Sequence, residues 1–471
     1  MISNNMFRIL RSLWNYGWLA HYIIQFYNSI KSKTIQENDI NQFIHKIIPY
    51  IEGTGCVCTK FAQWTTPILD NLYNEIDKEP YWLKQLEKFY ENCHDHSLDY
   101  TLQQYKLDFK QDFYDRYTIE DIIGTGSVGQ VYKIKDKYTK IDYAMKVLHP
   151  NVHFDMWFMK KIIYFLLWIP YTHDIIYDIL PIDIYGFVDI FEKQIDMINE
   201  ANNLSQMKYL HKEDSMIVIP DLIRCSHNIL VMSYEEGETI DDSSQSEYEK
   251  YKCICLLGLF TRNSLEVNNF IHGDIHKGNW KMKQNKLLIY DFGFCWSINI
   301  RDRYLNENLF YVTSKCTNDD LSIAIEYTCY TLNNHSDKIK KEIKYHLSKS
   351  KNHFADSSLL FKMICCVAKQ FNIYISPPNI LGIIMNIQTQ KYWTKYSLNN
   401  VNDKFTDSSS NFRLDYINHI SICETYNIFP KLQEIMKDTL NKEQVEINEL
   451  FDTLDDNKHI TDEVRSLLKF D

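Results

Sequence analysis

The sequence predicts an α+β fold of two lobes, because strand-like and helix-like segments occupy different parts of the chain. β-like runs lie within residues 117–148 and at Met216–Ile219 and Ile229–Ser233. Residues 153–212, and the chain beyond about residue 300, are instead helix-like. This separation predicts a strand-containing lobe followed by a helical one.

These segments divide the chain into four predicted regions, with a hinge between the lobes at Glu235-Glu236-Gly237. A helical N-terminal segment, either membrane-associating or targeting, is followed by a helical extension, a strand-containing N-lobe and a largely helical C-lobe. The predicted boundaries are 1–52, 53–115, 116–236 and 237–471.

The composition predicts a folded intracellular protein and gives no reason to expect a nucleic-acid partner. The 471 residues are 45% hydrophobic and 24% charged, which is enough apolar material for a core. A net charge of −11 lacks the basic character that nucleic-acid binding requires. Twelve cysteines are scattered without a CxxC pair or zinc-like spacing, so we expect free thiols in a reducing compartment.

The N-terminal segment combines basic residues and aromatic residues with a lack of acids. Residues 1–36 contain no Asp or Glu, and they carry Arg8, Arg11, Lys31 and Lys33. Polar residues interrupt the apolar stretch, so a membrane-spanning helix is not expected. Three interpretations stay open: an interfacial membrane helix, a mitochondrial targeting segment, or an amphipathic helix docked on the fold.

A glycine-rich segment between two β-like runs predicts a hairpin that covers phosphate groups. It contains Gly124, Gly126, Ser127 and Gly129. A strand rather than a helix follows, which disfavours a dinucleotide-binding turn and favours the loop through which kinase backbone N–H groups approach nucleotide phosphates. The next strand-like run carries Lys146 between apolar neighbours, which favours the lysine that grips the α- and β-phosphates over a solvated charge.

A helix-like stretch further along carries two acids, Asp196 and Glu200, which share one helix face. Acids at this spacing repel each other unless cations or metals lie nearby. We therefore expect Glu200 to be the partner of Lys146, as in kinases.

Residues 270–293 contain the motifs on which a functional prediction depends most. His272-Gly273-Asp274 is followed by Asn279, and an apolar run then leads to Asp291-Phe292-Gly293. This order matches the kinase catalytic loop followed by the metal-binding DFG motif. Asp274 would orient or deprotonate an attacking hydroxyl, and Asn279 and Asp291 would share Mg²⁺ that bridges the phosphates of ATP or ADP. Each half alone is weak, but both in this order predict a phosphotransfer centre.

Several motifs together resemble the UbiB/ADCK family of atypical protein-kinase-like proteins, over about residues 55–300. The matching segments are Lys60-x-x-Gln63 for the family's KxGQ, Ala144-Met145-Lys146-Val147 for its AVKV strand, Asp196-x-x-x-Glu200-Ala201-x-Asn203 for its ExDxxxEAxN helix, and His272-Gly273-Asp274-x-His276-x-Gly278-Asn279 for its HADPHPGN loop. One such match would be weak evidence of kinship, but several in the right order are strong.

The resemblance implies a bilobal protein-kinase-like fold, in which a helical N-terminal extension folds over the active site and the C-lobe is largely helical. It implies Mg²⁺-nucleotide binding by Lys146, Asn279 and Asp291. It also implies a role in lipid or quinone metabolism at membranes, such as coenzyme Q biosynthesis.

The resemblance further implies a regulatory extension that comprises Lys60 and Gln63, together with Gln194 and Asp196. In the family the KxGQ lysine pairs with the first acid of ExD, and Gln194 stands at that position here. Gln194 can offer Lys60 a hydrogen bond but no charge. The glycine-rich segment is closer to ordinary kinases than to the family's alanine-rich loop, which favours phosphotransfer.

Three functions are consistent with these motifs. The first is an atypical kinase or ATPase that cleaves or transfers the γ-phosphate, with Asp274, Lys146 and Glu200 as catalytic residues. The second is a small-molecule kinase of the aminoglycoside or choline kinase type, which uses a similar loop and metal-binding Asp. The third is a catalytically weak nucleotide-binding regulatory protein. The motifs around Lys60 and Glu200 favour the first, and the sequence does not identify the acceptor substrate.

Overall fold

The computed structural model describes residues 2–32, 37–73, 85–86, 95–297, 321–349, 357–396 and 418–442. Parts of the predicted extension and C-lobe, including residues 298–320 and the tail from residue 443, lie outside the described residues. In the described part of the chain, the strands lie between Tyr117 and Ser297, and helices both precede and follow them.

The elements are numbered here in chain order. The helices of the described residues are α1 (Ile2–Ser32), α2 (Glu37–Thr54), α3 (Cys56–Tyr73), α4 (Leu98–Phe109), α5 (Val152–Trp168), α6 (Pro170–Ile179), α7 (Ile184–Lys193), α8 (Met197–Leu210), α9 (Glu247–Asn263), α10 (Leu321–Thr331), α11 (Asp337–Lys349), α12 (Ser357–Phe371), α13 (Pro377–Tyr396), α14 (418–426) and α15 (Pro430–Lys442). The strands are β1 (Tyr117–Thr125), β2 (Gly129–Asp136), β3 (Asp142–Leu148), β4 (Ile217–Val218), β5 (Leu222–Cys225), β6 (Ile229–Ser233), β7 (Phe270–His272), β8 (Trp280–Lys283), β9 (Lys286–Ile289) and β10 (Cys295–Ser297).

Side-chain caps determine where several of these helices begin. Ser97 and Asp183 accept backbone N–H groups at the starts of α4 and α7. At the start of α9, Ser246 and Glu249 form a reciprocal capping box. Each cap supplies an acceptor for N–H groups that have no partner within the helix, so the polar sequence at these positions sets the helix boundary.

The chain forms two compact units. The first contains Met1–Asn202, Leu222–Tyr234 and Ala368–Pro377, and the second contains Asn203–Asp221, Glu235–Val367 and Pro378–Asp471.

The first unit contains an antiparallel sheet with the strand order β1-β2-β3-β6-β5. β2 alternates buried and half-buried residues, as a strand does when one face covers a core. Ile134 and Met145 on the sheet pack with Tyr105 of α4 and with Phe113 in the turn that follows it. The helical segment before the sheet and the sheet itself therefore share one apolar core.

The strands predicted within residues 117–148 and at Ile229–Ser233 are confirmed. The strand predicted at Met216–Ile219 is shorter and pairs as β4 in the second unit. Strand β5 was missed, because it is a short edge strand whose apolar residues Leu222 and Ile223 are exposed.

The second unit contains a small sheet with the order β4-β9-β8 and a separate antiparallel pair of β7 and β10. Its middle strand, β9, is the apolar run that the sequence predicts before Asp291, and Leu287, Leu288 and Ile289 are completely buried. The predicted buried strand is therefore confirmed. The partner strands β7, β8 and β10 were not predicted.

Helix α1 is docked on α2 and α5 of the first unit. Leu19 packs with Ile44 and Ile47 of α2. Arg8 donates a 2.6 Å hydrogen bond to Asp155 of α5. This geometry agrees with the interpretation of a helix that packs on the fold. None of the described helices combines the length and the apolar content that a membrane crossing requires.

The shared core of the first unit predicts a large cost for truncating Ile134. We expect Ile134→Ala to lower the free energy of unfolding by about 2–5 kcal/mol, because it opens a cavity among fully buried neighbours. The matched control is Ile141→Ala, which removes the same atoms from an exposed turn residue and should change stability by about 0.5 kcal/mol or less. Urea titration measures both, and equal effects would contradict the packing described here.

Candidate functional site

The glycine-rich segment forms the turn between β1 and β2, where the Gly126 N–H donates to the Gly129 carbonyl at 2.9 Å. A Cβ on Gly129 would lie 2.8 Å from the Val147 carbonyl oxygen, so the close approach of β3 requires glycine. In the described part of the chain, a Cβ on Gly124 would meet nothing within 4 Å, and one on Gly126 nothing closer than 3.6 Å. Packing thus explains Gly129, whereas Gly124 and Gly126 leave space in which an anion can approach the backbone.

The turn is also held by a residue of the predicted extension. Ser127 donates a 2.9 Å hydrogen bond to the Gln63 side-chain oxygen, and both side chains are buried. Gln63 lies on α3, far from the sheet in sequence. The structure therefore brings the KxGQ-like segment into contact with the glycine-rich turn.

Lys146 and Glu200 form a buried ion pair in the first unit. Lys146 Nζ lies 2.9 Å from both carboxylate oxygens of Glu200. Its strand neighbours Met145 and Val147 pack into the core on one face of the sheet. Because side chains alternate along a strand, Lys146 points to the other face, where α8 places Glu200. The predicted contact between the two residues is present.

Of the remaining candidates for regulation, Asp196 and Gln194 lie at helix ends, and Lys60 lies within a helix. Asp196 accepts the Ile198 N–H at 3.0 Å at the start of α8, which is a helix-capping contact. Gln194 is buried at the end of α7, and its Nε2 has no hydrogen-bond partner among the described residues. Lys60 is half-buried on α3. A buried donor without an acceptor is unfavourable, so the Gln194 side chain costs the folded chain some stability.

In the second unit, His272 connects the loop that carries Asp274 to the strand before Asp291. Its Nε2 donates to the Tyr290 carbonyl at 3.0 Å, and its Nδ1 accepts the Asp274 N–H at 3.3 Å. These partners require the neutral ring with the proton on Nε2. Burial lowers the pKa of His272, which favours the same neutral form.

Asn279 is fixed by three hydrogen bonds. Its side-chain Nδ2 donates to the Asp274 carbonyl at 2.8 Å, and its backbone N–H donates to the His276 carbonyl at 2.9 Å. Its own carbonyl accepts the Tyr290 N–H at 2.8 Å. Because the Asp274 carbonyl can only accept, the amide orientation is determined, and Oδ1 is the atom that Asn279 can offer to a cation.

Asp291 adopts a left-handed backbone conformation with φ of 51°, which is uncommon for a residue with a side chain. Its carboxylate accepts the Gly293 N–H at 3.2 Å. The next residue, Phe292, is buried against the His272 ring, and its carbonyl accepts the Asn203 side chain at 2.9 Å. Strained conformations of this kind persist where neighbours hold them, and they are typical of functional sites.

His276 is a residue beside Asp274 that sequence reasoning gave no role. Its Nδ1 accepts the Gly278 N–H at 3.0 Å, and its Nε2 lies 3.6 Å from the Asp274 carboxylate. A Cβ on Gly278 would lie 2.8 Å from the His276 ring, so glycine at this position makes room for it. The signal in the sequence was the spacing His276-x-Gly278-Asn279, which was used only to recognise the loop.

The buried pair predicts an asymmetric response to substitution. We expect Glu200→Ala to lower the free energy of unfolding by about 3–5 kcal/mol, because it leaves Lys146 buried without its partner. Replacing both residues, as Lys146→Met with Glu200→Leu, should recover most of this loss. In the control, Glu192→Ala breaks a partly exposed pair with Lys160 and should cost about 1 kcal/mol or less. Urea unfolding measures all three, and a double variant no more stable than Glu200→Ala would refute this account.

Comparison with known proteins connects this geometry with one family. A model of the ABC1 atypical kinase-like domain matches residues 92–325. This range contains every candidate catalytic and nucleotide-binding residue, and of the candidates only Lys60 and Gln63 precede it.

Three curated relatives are similar over parts of the chain. A probable serine/threonine-protein kinase, abkC of Dictyostelium discoideum, is 27% identical over 50% of this chain and 34% of its own length. An ABC1 family protein of Schizosaccharomyces pombe, named as mitochondrial, is 22% identical over 62% of this chain and 46% of its own. The chloroplastic ACTIVITY OF BC1 COMPLEX KINASE 3 of Arabidopsis thaliana is 25% identical over 36% of this chain and 25% of its own.

The chain therefore spans less than half the length of each of these relatives. The domain match and the relatives together show that the chain contains a kinase-like domain and belongs to the UbiB/ADCK family of atypical protein-kinase-like proteins.

Proposed function

We propose that the protein binds Mg²⁺ together with ATP or ADP and cleaves or transfers the γ-phosphate, as an atypical kinase or ATPase. The observation that carries this proposal is the buried Lys146–Glu200 pair. A carboxylate that holds both hydrogen bonds keeps the lysine charged and fixed in position, which is what a group that grips phosphates requires. The kinase-like names of the relatives support the same activity.

The first unit supplies the residues for phosphate binding. The N–H groups of the turn between Gly124 and Gly129 would face the phosphates, since the open space there admits an anion. Lys146 would donate to the α- and β-phosphates while Glu200 orients it.

The second unit supplies the residues for the metal and the acceptor. Asn279 would offer Oδ1, and Asp291 its carboxylate, to Mg²⁺, which neutralises charge on the phosphate oxygens when bound. Among the described residues no group of three or more His, Cys, Asp or Glu side chains is arranged as a metal site. Two protein ligands fit Mg²⁺, because this ion normally completes its shell with phosphates and water. Asp274 would orient or deprotonate the attacking hydroxyl.

The possible functions differ in which group, if any, accepts the γ-phosphate. Water would make the protein an ATPase, and a hydroxyl on a lipid or quinone precursor would place it in metabolism of the coenzyme Q type that the family resemblance implies. A screen of small hydroxyl and amino compounds tests the aminoglycoside or choline kinase alternative. Binding of nucleotide without phosphate release would indicate a regulatory protein.

The metal role of Asp291 gives the first test. At a nucleotide concentration 100 times Kd, Mg-ATP or Mg-ADP should raise the free energy of unfolding by about 2.7 kcal/mol. We expect Asp291→Asn to lose the Mg²⁺-dependent part of this stabilisation and of phosphate release. Differential scanning fluorimetry and a phosphate-release assay measure the two effects.

The control for this test is Glu213→Gln, an equally conservative change at an exposed acid of the same unit. It should behave like the wild type in both assays. If neither nucleotide stabilises the wild type, the proposal of a nucleotide site is wrong. If Asp291→Asn keeps the full Mg²⁺ response, the assignment of its metal role is wrong.

We also propose that α1 contacts an anionic lipid surface. Phe7 and Trp14 are 71% and 64% exposed, and Leu10 between them is exposed as well. The helix lies in an acid-free segment of a chain whose net charge is −11, so the local charge differs from that of the whole protein. Exposed aromatic residues next to basic ones suit the interface of a membrane. The mitochondrial and chloroplastic names of two relatives support an organelle membrane.

The lipid proposal predicts binding to vesicles of phosphatidylcholine with phosphatidylserine, which should weaken as salt is added. Replacing Phe7, Leu10 and Trp14 together with Ser should lower the partition coefficient by about tenfold or more, because their apolar surface no longer enters the interface. Tyr138→Ser, at an exposed residue elsewhere in the first unit, should have no effect. Co-sedimentation measures binding, and undiminished binding of the triple variant would reject α1 as the contact.

A further inference from the structure

The glycine-rich turn is anchored by three side chains that lie outside the hairpin. Besides the Ser127–Gln63 contact, Thr125 donates to the exposed Asp95 at 2.6 Å. His149, which follows β3, has its Nε2 2.9 Å from the Gly126 carbonyl, and its backbone N–H donates to the Val128 carbonyl at 2.9 Å. The shape of the turn therefore depends on contacts beyond its own sequence.

The contact of His149 continues into a second buried imidazole. Because the Gly126 carbonyl can only accept, His149 must donate from Nε2, which leaves Nδ1 as an acceptor in the neutral ring. The Nδ1 of His96 lies 2.8 Å from this atom and must therefore carry the proton. His96 Nε2 then accepts the hydroxyl of Thr101 at 2.8 Å.

The hydrogen bonds continue beyond Thr101 and close on the backbone of His96. Thr101 accepts from the Tyr132 hydroxyl at 2.8 Å, and Tyr132 accepts from Gln130 Nε2 at 3.0 Å. The Gln130 side-chain oxygen accepts the His96 backbone N–H at 3.0 Å. The side chains of His96, Thr101, Gln130 and Tyr132 are all buried. The network has one consistent set of proton positions, and in it both imidazoles are neutral.

An added proton has no favourable place in this network. Protonation of His149 at Nδ1 would require His96 to accept there and to donate from Nε2. Thr101 would then accept from His96, and one of the two hydroxyl protons of Thr101 and Tyr132 would be left without an acceptor among the described residues. It also places a positive charge on an imidazole ring that is nearly inaccessible to water, and a buried charge without a partner is costly.

The surroundings offer little compensation for that charge. Among the described residues, the titratable groups that face the two rings are Asp95, Tyr100 and Tyr132. Asp95 is exposed and already accepts from Thr125. Burial, and then the neighbouring His149, lower the pKa of His96 to about 4, and burial lowers the pKa of His149.

We propose that His96 and His149 are positioning residues that latch the glycine-rich turn in its phosphate-binding shape, and that acid opens this latch. The inference rests on the proposed nucleotide-binding function and adds its regulation by protons. The latch is fully closed above the ordinary imidazole pKa of about 6.5, because neither the closed nor the open form then binds a proton. As the pH falls from about 6.5 toward 4, the open form binds protons that the closed form rejects, so the closed form loses stability.

The size of the effect follows from the two pKa values of His96. With about 6.5 in the open form and about 4 in the closed form, the ratio of open to closed turns rises about tenfold between about pH 7.5 and pH 5.5. Protonation of His149 in the open form raises the ratio of open to closed turns further. Amide hydrogen exchange of the β1–β2 hairpin, corrected for intrinsic exchange rates, measures this ratio directly.

The test compares wild type, His149→Phe and His149→Gln at the two pH values. We expect wild-type protection of the hairpin to fall by about tenfold or more at the lower pH. His149→Phe should exchange fast at both pH values, since it cannot bond to Gly126. His149→Gln keeps an N–H donor for that carbonyl, so it should restore protection at the higher pH and show a smaller pH effect.

The controls separate a latch from general instability. His153→Phe, an exposed histidine of the same unit, should match the wild type. Protection in β6 should be equal in all variants that fold. A wild-type hairpin whose protection does not change with pH would overturn the proposal, as would a His149→Gln variant with the full wild-type response.

Addition of Mg-ADP distinguishes this inference from the proposed function. If nucleotide protects the hairpin but pH does not affect it, the latch is wrong and nucleotide binding stands. If pH and the variants act as expected but neither Mg-ADP nor Mg-ATP protects the hairpin, the latch stands as a conformational device and the nucleotide proposal is wrong.

Discussion

A charge that is removed from water needs a partner, and the first unit is organised around the pair that meets this requirement. Lys146 lies on the middle strand of the sheet, and its neighbours Met145 and Val147 fill the core on the other face. The lysine is therefore forced toward α8, where Glu200 receives it with both oxygens. Such a pair adds little net stability compared with apolar packing, but it specifies one position for the ammonium group. A fixed cation next to an open glycine-rich turn is the chemical basis of the proposed function.

In the second unit, hydrogen bonds to main-chain atoms, rather than an ion pair, hold the candidate site residues in position. His272 and Asn279 each hold the chain around Asp274 through several hydrogen bonds to main-chain atoms. Their buried polar groups are thereby satisfied, and the loop is left with little freedom. Asp291 keeps an uncommon backbone conformation between the buried strand β9 and buried Phe292. The backbone that carries the side chains proposed to act on metal and acceptor is thus held by groups of the chain itself.

The helical segment before the sheet does more than cover it. Gln63 on α3 and the pair Asp95 and His96 before α4 all reach the glycine-rich turn, directly or through His149. Glycines make a turn of this kind easy to deform. Here the added contacts come from distant parts of the chain. The shape of the turn therefore responds to changes in the extension, including its state of protonation.

Features that depend on local spacing could be predicted from the sequence. The glycine-rich hairpin, the strand that carries Lys146 and the buried run before Asp291 were predictable, because each follows from residue type and periodicity within a short segment. The contact of Lys146 with Glu200 joins residues 54 apart, and it was predictable only through the analogy with kinases. The other features depend on how distant segments pack in the folded chain. Strand β5 pairs with the edge that β6 offers, and Asp196, which the family resemblance places in a regulatory extension, accepts a backbone N–H at the start of α8. His96 and His149 lie 53 residues apart, and single histidines carry no periodic signal of a contact. Hydrogen bonds between distant residues depend on how the segments pack, and packing is a property of the folded chain rather than of any one segment.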